Sequence, residues 1–274
     1  MNVAEAELKY SELIRSIKRK RAVVYVVTVA ILVLTVLLTI PFSLEVMGEM
    51  IIDREGLNPI LIVLICFFIL FVGIIAYGIV SAPLVTALNV ECDPEKQVAL
   101  NLALDKNKNT YVFLAPAYLY LGEYGNASEC AMKMIGNKKD KIKLDGFFVL
   151  ARCEFMTGNK DSLKKTATKF KDLLMGSDKI NKKLIPAYQS VQLCLDLMVA
   201  ISDSNTEKMN ELYDKVIPWN ETTACKGFLN YLKGMASCIG GNRDEAVYRF
   251  RFVKDNCPKT VFARLSEKNL TLLD

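Results

Sequence analysis

Residues Tyr111 to Met134 read YVFLAPAYLYLGEYGNASECAMKM. Tyr111, Leu114, Ala115 and Tyr118 recur at helical spacing before Gly122, and Tyr124, Ala127, Ala131 and Met134 recur after it. Small Ala115 and Ala127 let two backbones approach, and the aromatic residues fill the wedge between them. Gly122 ends the first helix because only glycine enters the left-handed region without strain. The pattern predicts two short antiparallel helices, neither able to bury its apolar face alone. Pro116 breaks the rule inside the first helix and predicts a kink or a later helix start there.

The unit recurs downstream. Phe147, Leu150, Ala151, Gly158, Leu163, Ala167 and Phe170 repeat the spacing, with GNK as the turn. A weaker copy uses Leu193, Leu197, Ala200, Tyr213 and Val216 around SDSNTE. Gly234, Gly241, Ala246, Phe250, Val253 and Pro258 form another around GGNRDEA. Matching positions lie 36, 46 and 37 residues apart, the long interval accommodating the polar linker Gly176 to Lys183. With aromatic, small and glycine positions in this order, residues 110–258 resemble tetratricopeptide repeats, departing at Ala131 where an aromatic is usual. The resemblance implies an all-α solenoid of about four helix pairs, with the terminal ARLSEKNLTLLD as a capping helix over the last apolar face. Asp93, Pro94 and Glu95 supply an N-cap, a first helical residue and a dipole-complementing acid, so a leading helix is expected from there to about Asp105.

Upstream of the repeats the composition changes. Apolar residues make up 52% of the 274, and the excess lies in residues 22–88; mean hydropathy is +0.23. Ala22 to Ile40 is uncharged and just long enough to cross a hydrocarbon core of about 30 Å. Its length, and the lack of a small-residue cleavage site after it, argue against a signal peptide. A second uncharged run opens at Pro59 and spans about 59–82, with Gly78 and Ala82 as a small-residue pair for helix contact. The segment 184–201 is apolar too, but Gln189, Gln192 and Asp196 make it amphipathic rather than a third span.

Residues 1–21 form a basic segment, read as an amphipathic helix on the anionic leaflet or a solvated helix that sets topology. Arg15, Lys18, Arg19, Lys20 and Arg21 flank the first run, whereas the connecting loop 41–58 carries Glu45, Glu49, Asp53 and Glu55 against Arg54 alone. The positive-inside rule then places both termini, and the domain 92–274, in the cytoplasm of a two-span plasma-membrane protein, with the acidic loop outside. No Asp, Glu, Lys or Arg lies within either run, which disfavours transport.

Composition also narrows the chemistry. The chain has no histidine, removing the usual general base, the commonest metal ligand and any Ser-His or Cys-His nucleophile. The eight cysteines form no C-x-x-C and are expected as buried thiols. From Glu91 onward there are 28 basic and 23 acidic residues, and Lys outnumbers Arg 26 to 9 across the chain. That balance does not describe a nucleic-acid reader. No phosphate loop, dinucleotide fingerprint or hydrolase elbow is present, so neither catalysis, cofactor, metal nor small-molecule substrate is expected.

In tetratricopeptide proteins the first helix of each pair lines a concave groove. The resemblance places Val112, Leu119, Val149, Arg152, Phe155, Cys194, Met198, Phe228, Tyr231 and Met235 there. That set is mostly apolar and lacks the Lys/Asn/Arg lining of members that grip peptide C-termini. Two outcomes stay open: a groove for an apolar or amphipathic protein segment, or packing of these residues against neighbouring repeats. The chain is similar in layout to bacterial membrane proteins with a two-helix anchor and tetratricopeptide domains. The expected function is a membrane-anchored scaffold that binds a protein partner, with a membrane sensor relaying a signal through the hairpin as the alternative.

Overall fold

The computed structural model describes residues 8–37, 42–46, 49–54, 59–104 and 110–273. The described chain is helical apart from one two-stranded ribbon, and it divides into two compact units, Lys9–Pro83 and a larger one built on Leu84–Asp274.

In the first unit, α1 (Ser11–Leu37) and α2 (Pro59–Ser81) pack on one another. α1 runs without a break through the basic cluster into the apolar run, so the expected boundary at residue 21 is not a structural one. Lys and Arg are good helix formers, and no glycine, proline or cap separates Arg21 from Ala22. Arg21 donates from Nε to Ser81 Oγ (3.0 Å) and lies over the Tyr77 ring at 5.1 Å. The small-residue contact falls elsewhere than expected. A Cβ on Gly73 would lie 2.8 Å from Thr28 Oγ1, whereas nothing lies within 4 Å of one on Gly78.

The acidic connection, read from sequence as a loop, contains an antiparallel ribbon of β1 (Phe42–Val46) and β2 (Glu49–Arg54). Phe42 pairs with Arg54 and Val46 with Glu49, with a bulge after Leu44. Phe42, Leu44 and Val46 alternate with Ser43 and Glu45, the period-2 signal of a strand. Glu55, Ile40 at the end of the first apolar run, and residues 1–7 of the basic segment lie outside the described residues.

By length and composition three helices, not two, could cross a membrane: Ser11–Leu37, Leu61–Ser81 and Lys182–Ser202. Burial separates them. Half of the third helix's most apolar window is buried in the structure, against 6% and 0% for the other two.

The second unit opens with α3 (Pro83–Asn89) and α4 (Pro94–Leu104). Asp93 caps α4 by accepting from the Lys96 amide (3.0 Å). Buried Gln97 donates to the Leu84 carbonyl and accepts from the Leu88 amide, joining the two helices. Four helix pairs follow: α5 (Tyr111–Leu121) with α6 (Tyr124–Ile135), α7 (Asp140–Met156) with α8 (Lys160–Gly176), α9 (Ile185–Ser202) with α10 (Thr206–Tyr213), and α11 (Thr223–Ile239) with α12 (Arg243–Asn256). α13 (Val261–Leu273) ends the chain. α5 begins at Tyr111 and continues through Pro116, so the later start did not occur.

One turn is used four times. Positive-φ residues Gly122, Gly158, Ser204 and Gly241 close the first helix of each pair. In each turn the amide of that residue bonds three residues back, and the next amide five residues back, as from Gly122 to Leu119 (3.0 Å) and Glu123 to Tyr118 (2.9 Å). This double bond satisfies the last carbonyls of the helix. In the last three pairs the following asparagine caps the second helix: Asn159, Asn205 and Asn242 accept from the amides of Ser162, Lys208 and Glu245.

The first helices also pack on one another. α5 touches α7, α7 touches α9, α9 touches α11, α11 touches α13, and α13 returns to α5. Five helices thus form a closed ring, and each of α6, α8, α10 and α12 packs against two consecutive members of it. Closure is chemically explicit. Tyr120 and Phe228 each meet the Phe262 ring at a centroid distance of 5.0 Å. Tyr120 Oη donates to the Ala224 carbonyl (2.7 Å), and an Arg264 nitrogen to the Leu121 carbonyl (2.8 Å). Lys259 pairs with buried Asp93, and the Cys92 and Cys257 sulfurs lie 3.1 Å apart. All eight cysteines are free thiols.

Two predictions follow from this packing. Phe262→Ala removes a side chain that is 1% exposed from the closure point and should cost about 3–5 kcal/mol. Alkylation of Cys92 and Cys257 in the folded variant, followed by peptide mass mapping, should be faster than in wild type. At Gly146 on α7 an added Cβ would lie 2.8 Å from Met134 Cβ and 3.0 Å from the Ala131 carbonyl oxygen. Gly146→Ala should therefore destabilise by about 1–3 kcal/mol despite its better helix propensity. Gly125→Ala in α6 meets nothing within 4 Å. It should be neutral or stabilise by up to about 1 kcal/mol, as thermal unfolding of the two variants will show.

Candidate functional site

Ring closure turns the expected groove inward. Of the residues read as its lining, Leu119, Val149, Arg152, Cys194, Met198, Phe228 and Tyr231 are buried, and Val112, Phe155 and Met235 are half-buried. The inner faces of the ring meet one another and α13, where Phe262 also packs on Tyr231 at 5.3 Å. Met235 accepts through sulfur from the Asn269 side chain of α13 (3.5 Å). Of the two outcomes left open by the sequence, this burial agrees with packing against neighbouring helices for most of the set.

The interior is not completely filled. A cavity of about 260 Å³ lies between α5, α7 and the α10–α11 connection. α7 supplies Asp145, Phe148, Val149 and Arg152, one face of the helix at i, i+3, i+4 and i+7. α5 supplies Val112, Phe113, Pro116 and Tyr120, and the connection supplies Trp219, Asn220 and Thr222. Pro116 lacks the N–H that would pair with the Val112 carbonyl, and both residues line the cavity. Of the residues expected in the groove, the cavity unites Val112, Val149 and Arg152 only.

Arg152 is the dominant group. It is 4% exposed, and its guanidinium carbon lies 4.3 Å from the Phe148 centroid, 5.1 Å from that of Phe228 and 5.7 Å from that of Tyr120. Phe148 is itself held edge-on by Trp219 at 4.8 Å and 89°. The rings lie close around the guanidinium, each such contact worth about 0.5–2 kcal/mol. They do nothing for its N–H edge, and Arg152 Nε is buried without a hydrogen-bond partner.

Asp145, the acid that shares the cavity, does not form an ion pair with it. It accepts instead from Tyr188 Oη (3.0 Å). Burial pushes the Asp145 carboxyl above its ordinary value, outweighing the Tyr188 hydrogen bond and the charges of Lys141 and Arg152. Burial likewise raises the thiols of Cys194 and Cys225, the latter to about 11, which keeps both protonated and poor as nucleophiles. Among the described residues no group of three His, Cys, Asp or Glu side chains could hold a metal ion.

The basic residues read as topology signals belong to the other unit, where Arg15 Nε donates to the Ser11 carbonyl (3.4 Å) and Lys18, Arg19 and Lys20 lie on the same helix. Asp145, Phe148 and Trp219 were missed in the sequence. The first two share a helix face with Arg152 and were legible by periodicity, whereas Trp219 sits in a connection that no periodicity places.

No protein-family model, curated protein or solved structure matches the chain.

The raised Asp145 pKa carries a sign. A carboxyl with ordinary value 3.8, raised on folding, contributes stability that is fully present below that value and is lost as pH rises through the folded value. Asp145→Asn keeps an acceptor for Tyr188 without the charge. The stability of wild type relative to this variant should therefore fall as pH rises above about 4, measured from thermal midpoints. A difference that grows with pH would mean that the Tyr188 bond outweighs desolvation.

Proposed function

We propose that the protein is a membrane-tethered, non-catalytic interaction module. In this reading α1 and α2 form a two-span anchor, and α4–α13 form a tetratricopeptide-like domain that holds a protein partner at the bilayer. The observation that carries the anchor is the exposure of the apolar side chains on the two helices. Val26, Phe67, Phe71, Ile74 and Ile79 are each more than 60% exposed, a surface that only lipid or another apolar partner would cover favourably. α9 is of similar length but buries Cys194, Leu195, Leu197 and Met198 in the helical core, which supports reading it as a ring member rather than a third span.

The four identical turns at repeat spacing support the tetratricopeptide-like reading of the domain. Since the inner faces are buried, the partner surface falls to the outer helices and the cavity mouth, where Phe113 is 39% exposed. The basic flank of α1 supports a cytoplasmic N-terminus, and two spans return the C-terminus to the same side of a plasma membrane. A regulatory or sensor role is the second reading, and the cavity around Arg152 favours it.

The anchor is tested by fractionation. The full chain should stay with membranes through alkaline carbonate extraction, and a chain starting at Leu84 should move to the soluble fraction. A full chain released by carbonate would overturn the anchor. A reporter active only in the cytoplasm, fused after Asp274, should be active; a stable but inactive fusion would overturn the orientation.

A further inference from the structure

Arg152 is the feature that the adaptor reading leaves unexplained. Among the described residues' buried side-chain atoms without a partner, its Nε is the one cationic nitrogen; the others are oxygens of Asn101, Glu154, Gln192 and Ser266. Burying an ion costs several kcal/mol, and an unpaired one is expensive to keep. The aromatic faces offset part of that cost but cannot accept in-plane hydrogen bonds. A guanidinium offers a planar fork matched to a two-oxygen anion. Here that fork is held by three rings beside a cavity that is otherwise mostly apolar.

We propose that the cavity binds a small organic monocarboxylate, its carboxylate on Arg152 and its apolar body against Val112, Phe113, Phe148 and Trp219. Charge and size both select this class. The lining carries one guanidinium and no second cation, so a phosphate dianion would bring a second charge with no partner into a low-dielectric site. The volume of about 260 Å³ lies below the roughly 300–1,000 Å³ of drug-sized sites, which fits a branched-chain or aryl acid. Asn220 and Thr222 at the cavity supply polar groups that can orient such a ligand. The inference goes beyond the adaptor reading and does not depend on a protein partner.

The test uses the full chain in detergent, titrated calorimetrically with phenylacetate, isovalerate and the uncharged phenylacetamide. The expected result is saturable binding of at least one acid, with phenylacetamide at least about tenfold weaker, or 1.4 kcal/mol. Arg152→Met should fold, since replacing an unpaired buried ion by an apolar group of similar length is tolerated, and it should lose the binding. Arg152→Lys keeps the charge without the fork and should bind about tenfold more weakly. If Arg152→Met does not fold, the Lys variant and the acid-against-amide contrast still decide. Equal binding of acid and amide, or no binding of either acid up to about 10 mM to folded protein, would overturn the proposal. So would binding of inorganic phosphate alone, or of a peptide with a free C-terminus when both small acids fail. None of these outcomes alters the carbonate-extraction result, so the two readings fail separately.

Discussion

The side chain on which the second unit depends is Phe262. It is 1% exposed and touches Tyr120 of the first helix pair and Phe228 and Tyr231 of the last. Edge-on and tilted aromatic pairs at 5.0–5.3 Å each add about 0.5–1.5 kcal/mol beyond the area they bury. More important is what they join. A stack of helix pairs ordinarily has two ends, each with an apolar face to be covered. Here α13 packs on the last pair and returns to the first, Phe262 meeting both α11 and α5, while α4 also packs on α5. The Asp93–Lys259 pair and the Cys92–Cys257 contact lie along the same seam.

Closure explains why an arginine occupies the interior. Arg152 sits on the inner face of α7, which in an open stack would face solvent. Phe148, one turn earlier on α7, lies beside the guanidinium by helix periodicity alone, whereas packing of α7 among the other helices brings Tyr120 of α5 and Phe228 of α11 to it and withdraws it from water. The rings stabilise its charge, and the proline in α5 and the connection carrying Trp219 keep space beside it. A buried charge without a carboxylate partner is costly, and the cavity is the place where that cost could be met.

Much of the fold was legible. The four turns fall where the glycine and asparagine pattern put them, because a left-handed residue at a helix end tolerates few side chains. The caps at Asp93, Asn159, Asn205 and Asn242 are local hydrogen bonds encoded within three residues. The ribbon at Phe42–Arg54 was passed over although its alternation was present, since an acidic connection between apolar runs reads first as a loop. The break at residue 21 was a composition boundary and not a structural one, because a helix does not stop where polarity changes if every residue favours it. The close approach of α1 and α2 at Gly73 rather than Gly78 depends on which face Thr28 presents.

The sequence by itself determined the helix pairs, their turns, the apolar runs long enough to span a bilayer, and the absence of histidine. These are local properties: periodicity, propensity and composition act within a few residues. Only the tertiary structure decided that α13 meets α5, that most of the residues left between groove and packing are buried, and that Asp145, Phe148, Trp219 and Arg152 surround one cavity. The reason is geometric. Whether the last helix comes back to the first depends on how every helix sits on its neighbours, as the sum of all the packing contacts. No spacing along the chain records that sum.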